Sequence, residues 1–113
     1  DPEAPADVYA ALVTGKAAPE GIALGFVEMC FRAGLDCRMV YGQRDREDYC
    51  WNILRLDGNY YHVDLCAQEG ELFLHSDSSM WGRYRWTTSA YPRCAMEPDY
   101  EALSGEIGIE VSP

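Results

Sequence analysis

Apolar and polar positions change period several times along this chain, and the changes mark out its elements. Residues 1–6, with two prolines, read as an extended leading segment. From Asp7 to Val13 a possible capping Asp precedes apolar residues at helical spacing, which predicts a short helix stopped by Gly15. Pro19 to Ala33 is a firmer helical pattern. Pro19 suits the first helical position, Glu20 favours the positive end of the helix dipole, and Gly34 can close the helix in the left-handed region. Ile22, Phe26, Met29, Cys30 and Ala33 line one face, and Ala23, Leu24, Val27 and Phe31 make most of the remainder apolar, so this helix is expected to be central and buried. The stripe Gly21, Gly25, Glu28, Arg32 is the exception: its glycines are expected to admit a close neighbour, and Glu28 and Arg32 to pair at i,i+4.

Asp36 to Tyr41 alternates and ends at Gly42, which predicts a strand, whereas the charged run Gln43 to Asp48 predicts a solvated loop. Tyr49–Leu56 and Asn59–Cys66, rich in aromatic and β-branched residues, flank Asp57-Gly58, a strong hairpin signal. Alternation puts Tyr49, Trp51 and Ile53 on one face, and antiparallel pairing brings that face against His62 and Asp64. A short strand is expected from Glu71 to His75, then a capped helical turn from Ser76 to Met80. Trp81 to Trp86, with its aromatics and arginines interleaved, reads either as a binding surface or as a loop folded over the core with the arginines outward. A turn at Ala90–Cys94 and an acidic tail from residue 97 to 113, weakly strand-like at Ile107–Val111, complete the chain. One helix followed by strands predicts an α+β fold, a central buried helix packed on a mainly antiparallel sheet.

Composition narrows the function more than the fold. The chain has 113 residues, 48% hydrophobic and 25% charged, which suits a single globular domain. No apolar run approaches the roughly 18 residues a membrane span requires, so direct membrane insertion is not expected. A net charge of −10 repels phosphate backbones and argues against nucleic acid as a partner. Cysteines 30, 37, 50, 66 and 94 form no C-x-x-C pair and no His-spaced ligand set, so neither a metal site nor a cofactor is expected. Cys30 and Cys37 read either as a disulfide, if the protein is secreted, or as small buried apolar residues.

Several stretches, taken together, resemble the bacterial transglutaminase-like superfamily. These are Gly15-Lys16 through Pro19-Glu20-Gly21-Ile22-Ala23, then Ala33-Gly34-Leu35-Asp36-Cys37, Trp51-Asn52-Ile53-Leu54-Arg55-Leu56-Asp57-Gly58 and Tyr61-His62-Val63-Asp64. Phe73-Leu74-His75-Ser76-Asp77, Arg85-Trp86 and Tyr91-Pro92-Arg93-Cys94 fit the same pattern. The resemblance spans about residues 7 to 96 and implies a papain-like core within a fragment of a larger bacterial protein of the envelope or secreted space. It also implies a Cys-His-Asp triad, and here that triad is degenerate. The nucleophile position is Pro19, the base position is Tyr49, and only the orienting acid, Asp64, is of the expected type.

Proline has neither a nucleophilic side chain nor a backbone N–H for an oxyanion hole, and a tyrosine with a reference pKa near 10 is protonated at neutral pH. The leading expectation is therefore an inactive transglutaminase-like domain serving as a binding or structural module. Its residual cleft would be lined by Tyr49, Trp51, Asp64, His62, Trp81 and Trp86 and would take a peptide, protein or cell-wall glycan. The alternative is an active cysteine-dependent transglutaminase or peptidase whose nucleophile has moved to Cys66 or Cys50.

Overall fold

A computed structural model describes residues 18–66 and 74–107, with side chains to Leu103. The expected helix at Asp7–Val13, most of the strand at Glu71–His75 and the end of the acidic tail lie outside these residues. Helix α1 runs Pro19–Arg32 with proline in its first turn and Glu20 beside it. It closes as a Schellman motif: Gly34 sits at φ 79°, its N–H donates to the Phe31 carbonyl at 3.1 Å, and the Leu35 N–H donates to the Cys30 carbonyl at 2.8 Å. The expected Arg32–Glu28 pair forms at 2.9 Å on the exposed side.

Strands β1 (Cys37–Arg44), β2 (Glu47–Leu56) and β3 (Asn59–Val63) form an antiparallel meander, and the two-residue β4 (Tyr84–Arg85) pairs with the end of β1. The sheet order is β3-β2-β1-β4. A short helix α2 (Asp77–Met80) is capped by Ser76, whose side chain accepts from the Ser79 N–H, as its sequence predicts. A 3-10 turn spans Thr88–Ala90 and helix α3 spans Tyr100–Ile107. The fold is thus α+β with an antiparallel sheet.

β2 is one of the two interior strands and buries both of its faces. Leu54 and Leu56 join Cys30, Tyr61, Val63, Leu74 and Leu103 in the core beneath α1 and α3. Trp51 and Ile53, one residue out of phase, join Val40, Met80, Tyr84, Trp86 and Cys94 beneath the 80–94 segment. Asn52 ties the layers together, its side-chain amide donating to the Ala23 carbonyl of α1 at 3.0 Å and to the Arg38 carbonyl at 3.2 Å.

Four expectations are corrected. Residues 43–48 are not a solvated loop: β1 continues to Arg44, β2 begins at Glu47, and only Asp45 and Arg46 turn, both at positive φ. All of these residues but Arg44 are exposed, so the run of polar residues hides a hairpin. Helix α1 is not buried all round: Ala23 and Cys30 pack inward while Met29 (60% exposed) and Phe31 (77%) face outward, because the sheet covers one side of it. Among the described residues a β-carbon on Gly21 would meet nothing within 4 Å, so none of them approaches it closely. Tyr100–Ile107, expected as tail, is helical. A close approach does occur at Gly42, where a β-carbon would run into the Arg85 carbonyl oxygen and lie 2.8 Å from the Trp51 ring.

Candidate functional site

The hairpin delivers the register its turn requires. Asp57-Gly58 closes a two-residue loop with positive φ at both positions, Leu56 faces Asn59, and Ile53 faces His62. Trp51 and His62 therefore sit diagonally on one sheet face, and the Trp51 indole N–H donates to His62 Nδ1 at 2.9 Å. An indole nitrogen only donates, so Nδ1 must be the acceptor and the imidazole proton resides on Nε2. From there it donates to Asp77 Oδ1 at 2.7 Å, while Asp77 Oδ2 accepts the Cys94 backbone N–H at 3.1 Å.

His62, Asp77 and Cys94 place three potential ligand atoms within 4.8 Å of one another. The hydrogen bonding is wrong for a metal ion. A cation on Nε2 would require the ring proton on Nδ1, where the Trp51 N–H already points. The Cys94 thiol, pushed up to about 12 by burial and by the Asp77 charge, stays protonated. Burial likewise holds His62 below the ordinary imidazole range against the pull of Asp77. This chain of groups fixes α2 against β3.

Asp64 follows β3 and is buried. The Tyr49 hydroxyl donates to its Oδ1 at 3.0 Å, and the Tyr84 hydroxyl donates to Oδ2 through a short bond. Arg44 Nε approaches the same carboxylate at 3.9 Å, with its guanidinium 5.2 Å from the Tyr49 ring centre and 5.7 Å from that of Tyr84. Burial, then the Asp64 charge, pushes the Tyr49 hydroxyl well above the usual phenol range. For Tyr84, burial and the hydrogen bond to Asp64 do the same. Both phenols hold their protons at neutral pH and donate hydrogen bonds to the carboxylate.

Two grooves flank the Tyr41–Gln43 end of β1. The smaller, about 640 Å³, is lined by Pro19, Tyr49 and Cys50 together with the acidic Glu20 and Asp48. The larger, about 980 Å³, runs between the Asp45–Arg46 turn and the Trp81–Trp86 segment. Pro19 and Tyr49 thus share a groove, and Tyr49 leads inward to Asp64. Of the residues expected to line a ligand cleft, Trp51, His62 and Asp64 are corrected: they are buried, with their polar atoms engaged as above. Tyr49 is half-buried, Trp86 presents only an edge of the larger groove, and Trp81 is 47% exposed. In the 81–86 segment the burial follows the loop reading, with Tyr84 and Trp86 packed inward and Arg83 and Arg85 pointing out.

All five cysteines are thiols. The neighbouring Cys30 thiol, then burial, pushes the Cys37 thiol above its ordinary range. Burial pushes the Cys50 thiol up, with Glu20 adding to it, and burial followed by the Asp64 charge does the same to Cys66.

Sequence reasoning missed Arg44, Tyr84 and Asp77. Arg44 lay in the stretch expected as loop, Tyr84 in a segment of undecided role, and Asp77 was seen only as part of a capping sequence. No helix among the described residues is long and apolar enough to cross a membrane. In comparisons with models of known families, with curated proteins and with solved structures, no match to this chain is found.

Proposed function

We propose that this is a catalytically inactive domain of transglutaminase-like type that works as a binding module. One observation carries the reading. Tyr49, at the position of the base, shares a groove with Pro19, at the position of the nucleophile, and its hydroxyl donates a hydrogen bond to Asp64, the position of the orienting acid. A base must accept a proton, and this hydroxyl is held in its donating form by burial and by the carboxylate it faces. The protein's own phenols cover the Asp64 carboxylate, while open grooves lie beside it. A bacterial envelope or secreted setting, with a peptide, protein or glycan as partner, belongs to the same proposal.

The competing reading moves the nucleophile to Cys50 or Cys66, and it draws on the fact that Cys50 lines the groove of Pro19 and Tyr49. Against it stands the upward shift of both thiols, since a nucleophilic cysteine needs thiolate at neutral pH. The test is an assay of the purified chain for amine incorporation into a glutamine peptide and for peptide hydrolysis, with iodoacetamide labelling at pH 7. No turnover and uniformly slow labelling are expected. Turnover abolished by alkylation overturns the proposal. As a positive control, the double variant Pro19→Cys, Tyr49→His is expected to gain one rapidly labelled thiol, because it returns a thiol and an imidazole to one groove.

A further inference from the structure

The larger groove is locally basic on an acidic chain. The chain carries 19 acidic against 9 basic residues, yet the walls of this groove hold Arg46, Arg83 and Arg85 against a single acid, Asp45. Asp45 and Arg83 neutralise each other through paired contacts at 3.0 and 3.2 Å. Arg46 and Arg85 remain, and neither guanidinium has a hydrogen-bonded partner among the described residues.

Arg85 is held in a defined pose, with its guanidinium 4.6 Å from the centre of the Trp81 ring. Stacking occupies the flat face of an arginine and leaves its N–H edge available, which matches a carboxylate bidentately. The same stack covers a face of the Trp81 indole on which a sugar ring would otherwise rest. Trp81 also meets Trp86 edge to face at 5.1 Å, so its exposed remainder is a rim rather than a platform.

Arg46 occupies a backbone position that suits glycine. The two hairpin turns of this sheet are alike, with φ 53° and 69° at Asp45-Arg46 and 51° and 80° at Asp57-Gly58. The second has the Asp-Gly pair such a turn prefers, whereas the first puts an arginine in the left-handed region. This turn is also anchored to the far wall of the groove, the Asp45 N–H donating to the Arg83 carbonyl at 2.9 Å. A strained arginine at the mouth of a groove, opposite a second one already oriented, suits a ligand that needs both.

Building on the binding-module reading, we infer that this groove binds an extended acidic peptide: Arg46 and Arg85 take its side-chain carboxylates, and the half-exposed rings of Tyr41 and Trp81 take its apolar atoms. Acids more than roughly 8 Å from the groove are screened from such a ligand at physiological salt.

The test uses the 113-residue chain and two capped heptapeptides of alternating alanine with either glutamate or glutamine, titrated at 0.15 M salt. The glutamate peptide is expected to bind at least about tenfold more tightly. Arg46→Gly is expected to weaken it about fivefold or more while raising Tm by roughly 3–6 °C, a pairing of effects that a purely structural arginine would not give. Arg85→Gln is expected to weaken binding as well. Equal affinity for the two peptides, no binding of either up to millimolar concentration, or an unchanged affinity in Arg46→Gly overturns the acidic-peptide assignment. So does tighter binding of an oligogalacturonate, which would make the ligand an acidic glycan. These failures leave the binding-module reading standing. Cleavage or cross-linking of a probe, read by mass spectrometry of the recovered peptide, overturns that reading instead.

Discussion

Asp64 keeps its carboxylate among two phenols and an arginine, and this changes what the residue does. A carboxylate that orients an imidazole leaves an oxygen for it, whereas here each oxygen accepts from a tyrosine. The raised phenol pKa values have a consequence for stability, and its sign is fixed. Groups that bind their protons more tightly when folded stabilise the fold fully below the unfolded value near 10, and that contribution is lost as pH rises beyond it. Unfolding by urea between pH 8 and 11 should show stability falling above about pH 10. Tyr84→Phe should be less stable at pH 7 by about 1.5–3 kcal/mol and should have a shallower alkaline fall, and an equally steep fall would contradict the assignment. At Arg46 the expectation has the opposite sign, since glycine there relieves roughly 1–2 kcal/mol of left-handed strain. Asp64 was legible in the sequence as the acid of a triad. Its partners were not, because Tyr84 and Arg44 lie 20 residues away on either side and nothing in their local pattern points back to it.

At the scale of elements, the hairpin was legible because Asp57-Gly58 states its turn and the alternation of Tyr49, Trp51 and Ile53 states its face. The β1–β2 turn was not legible, since Asp45-Arg46 carries no glycine and the flanking charges resemble a loop. Helix α1 was legible in its ends, where Pro19 and Gly34 are local signals, and illegible in its burial. An apolar surface reports what could be covered, not which layers exist to cover it. The β1–β4 pairing depends on one missing side chain. Gly42→Ala would drive a methyl group against the Arg85 carbonyl and the Trp51 ring, and the strand backbone cannot yield as a flexible side chain would. Destabilisation of about 2–3 kcal/mol is expected, seen as a lower urea midpoint, and a midpoint equal to that of the parent chain would mean that β4 is free to move away.

At the scale of the whole molecule, the sheet has a hydrophobic layer on each side and its pH limits come from groups buried in or beside them. Burial lowers both His62 and His75. A histidine that resists protonation when folded leaves the unfolded chain with the greater proton uptake, so its stabilising effect is present above the unfolded value near 6.5 and is lost as pH falls below it. A plateau of stability between about pH 6.5 and 10 is therefore expected, with a lower urea midpoint at pH 5 than at pH 7. The His62 ring signals should remain those of the neutral Nε2–H tautomer at pH 6, and a protonated ring at that pH would refute the hydrogen-bond chain through Trp51 and Asp77. The α+β class was legible from the order of elements, but the second layer was not, because the 80–94 segment that forms it has little regular structure and no periodic pattern to announce it.

All three tryptophans of the chain belong to one contiguous edge-to-face cluster: Trp81 meets Trp86 at 5.1 Å, and Trp86 meets Trp51 at 6.0 Å. Its outer member stands at the rim of the larger groove and its inner member is hydrogen-bonded to a buried imidazole. The intrinsic fluorescence of the protein thus originates in a single optical unit with one end in solvent and the other in the core. Without any label, an occupant of the groove would register as a change in the exposed indole, and loosening of the fold as a change in the buried one.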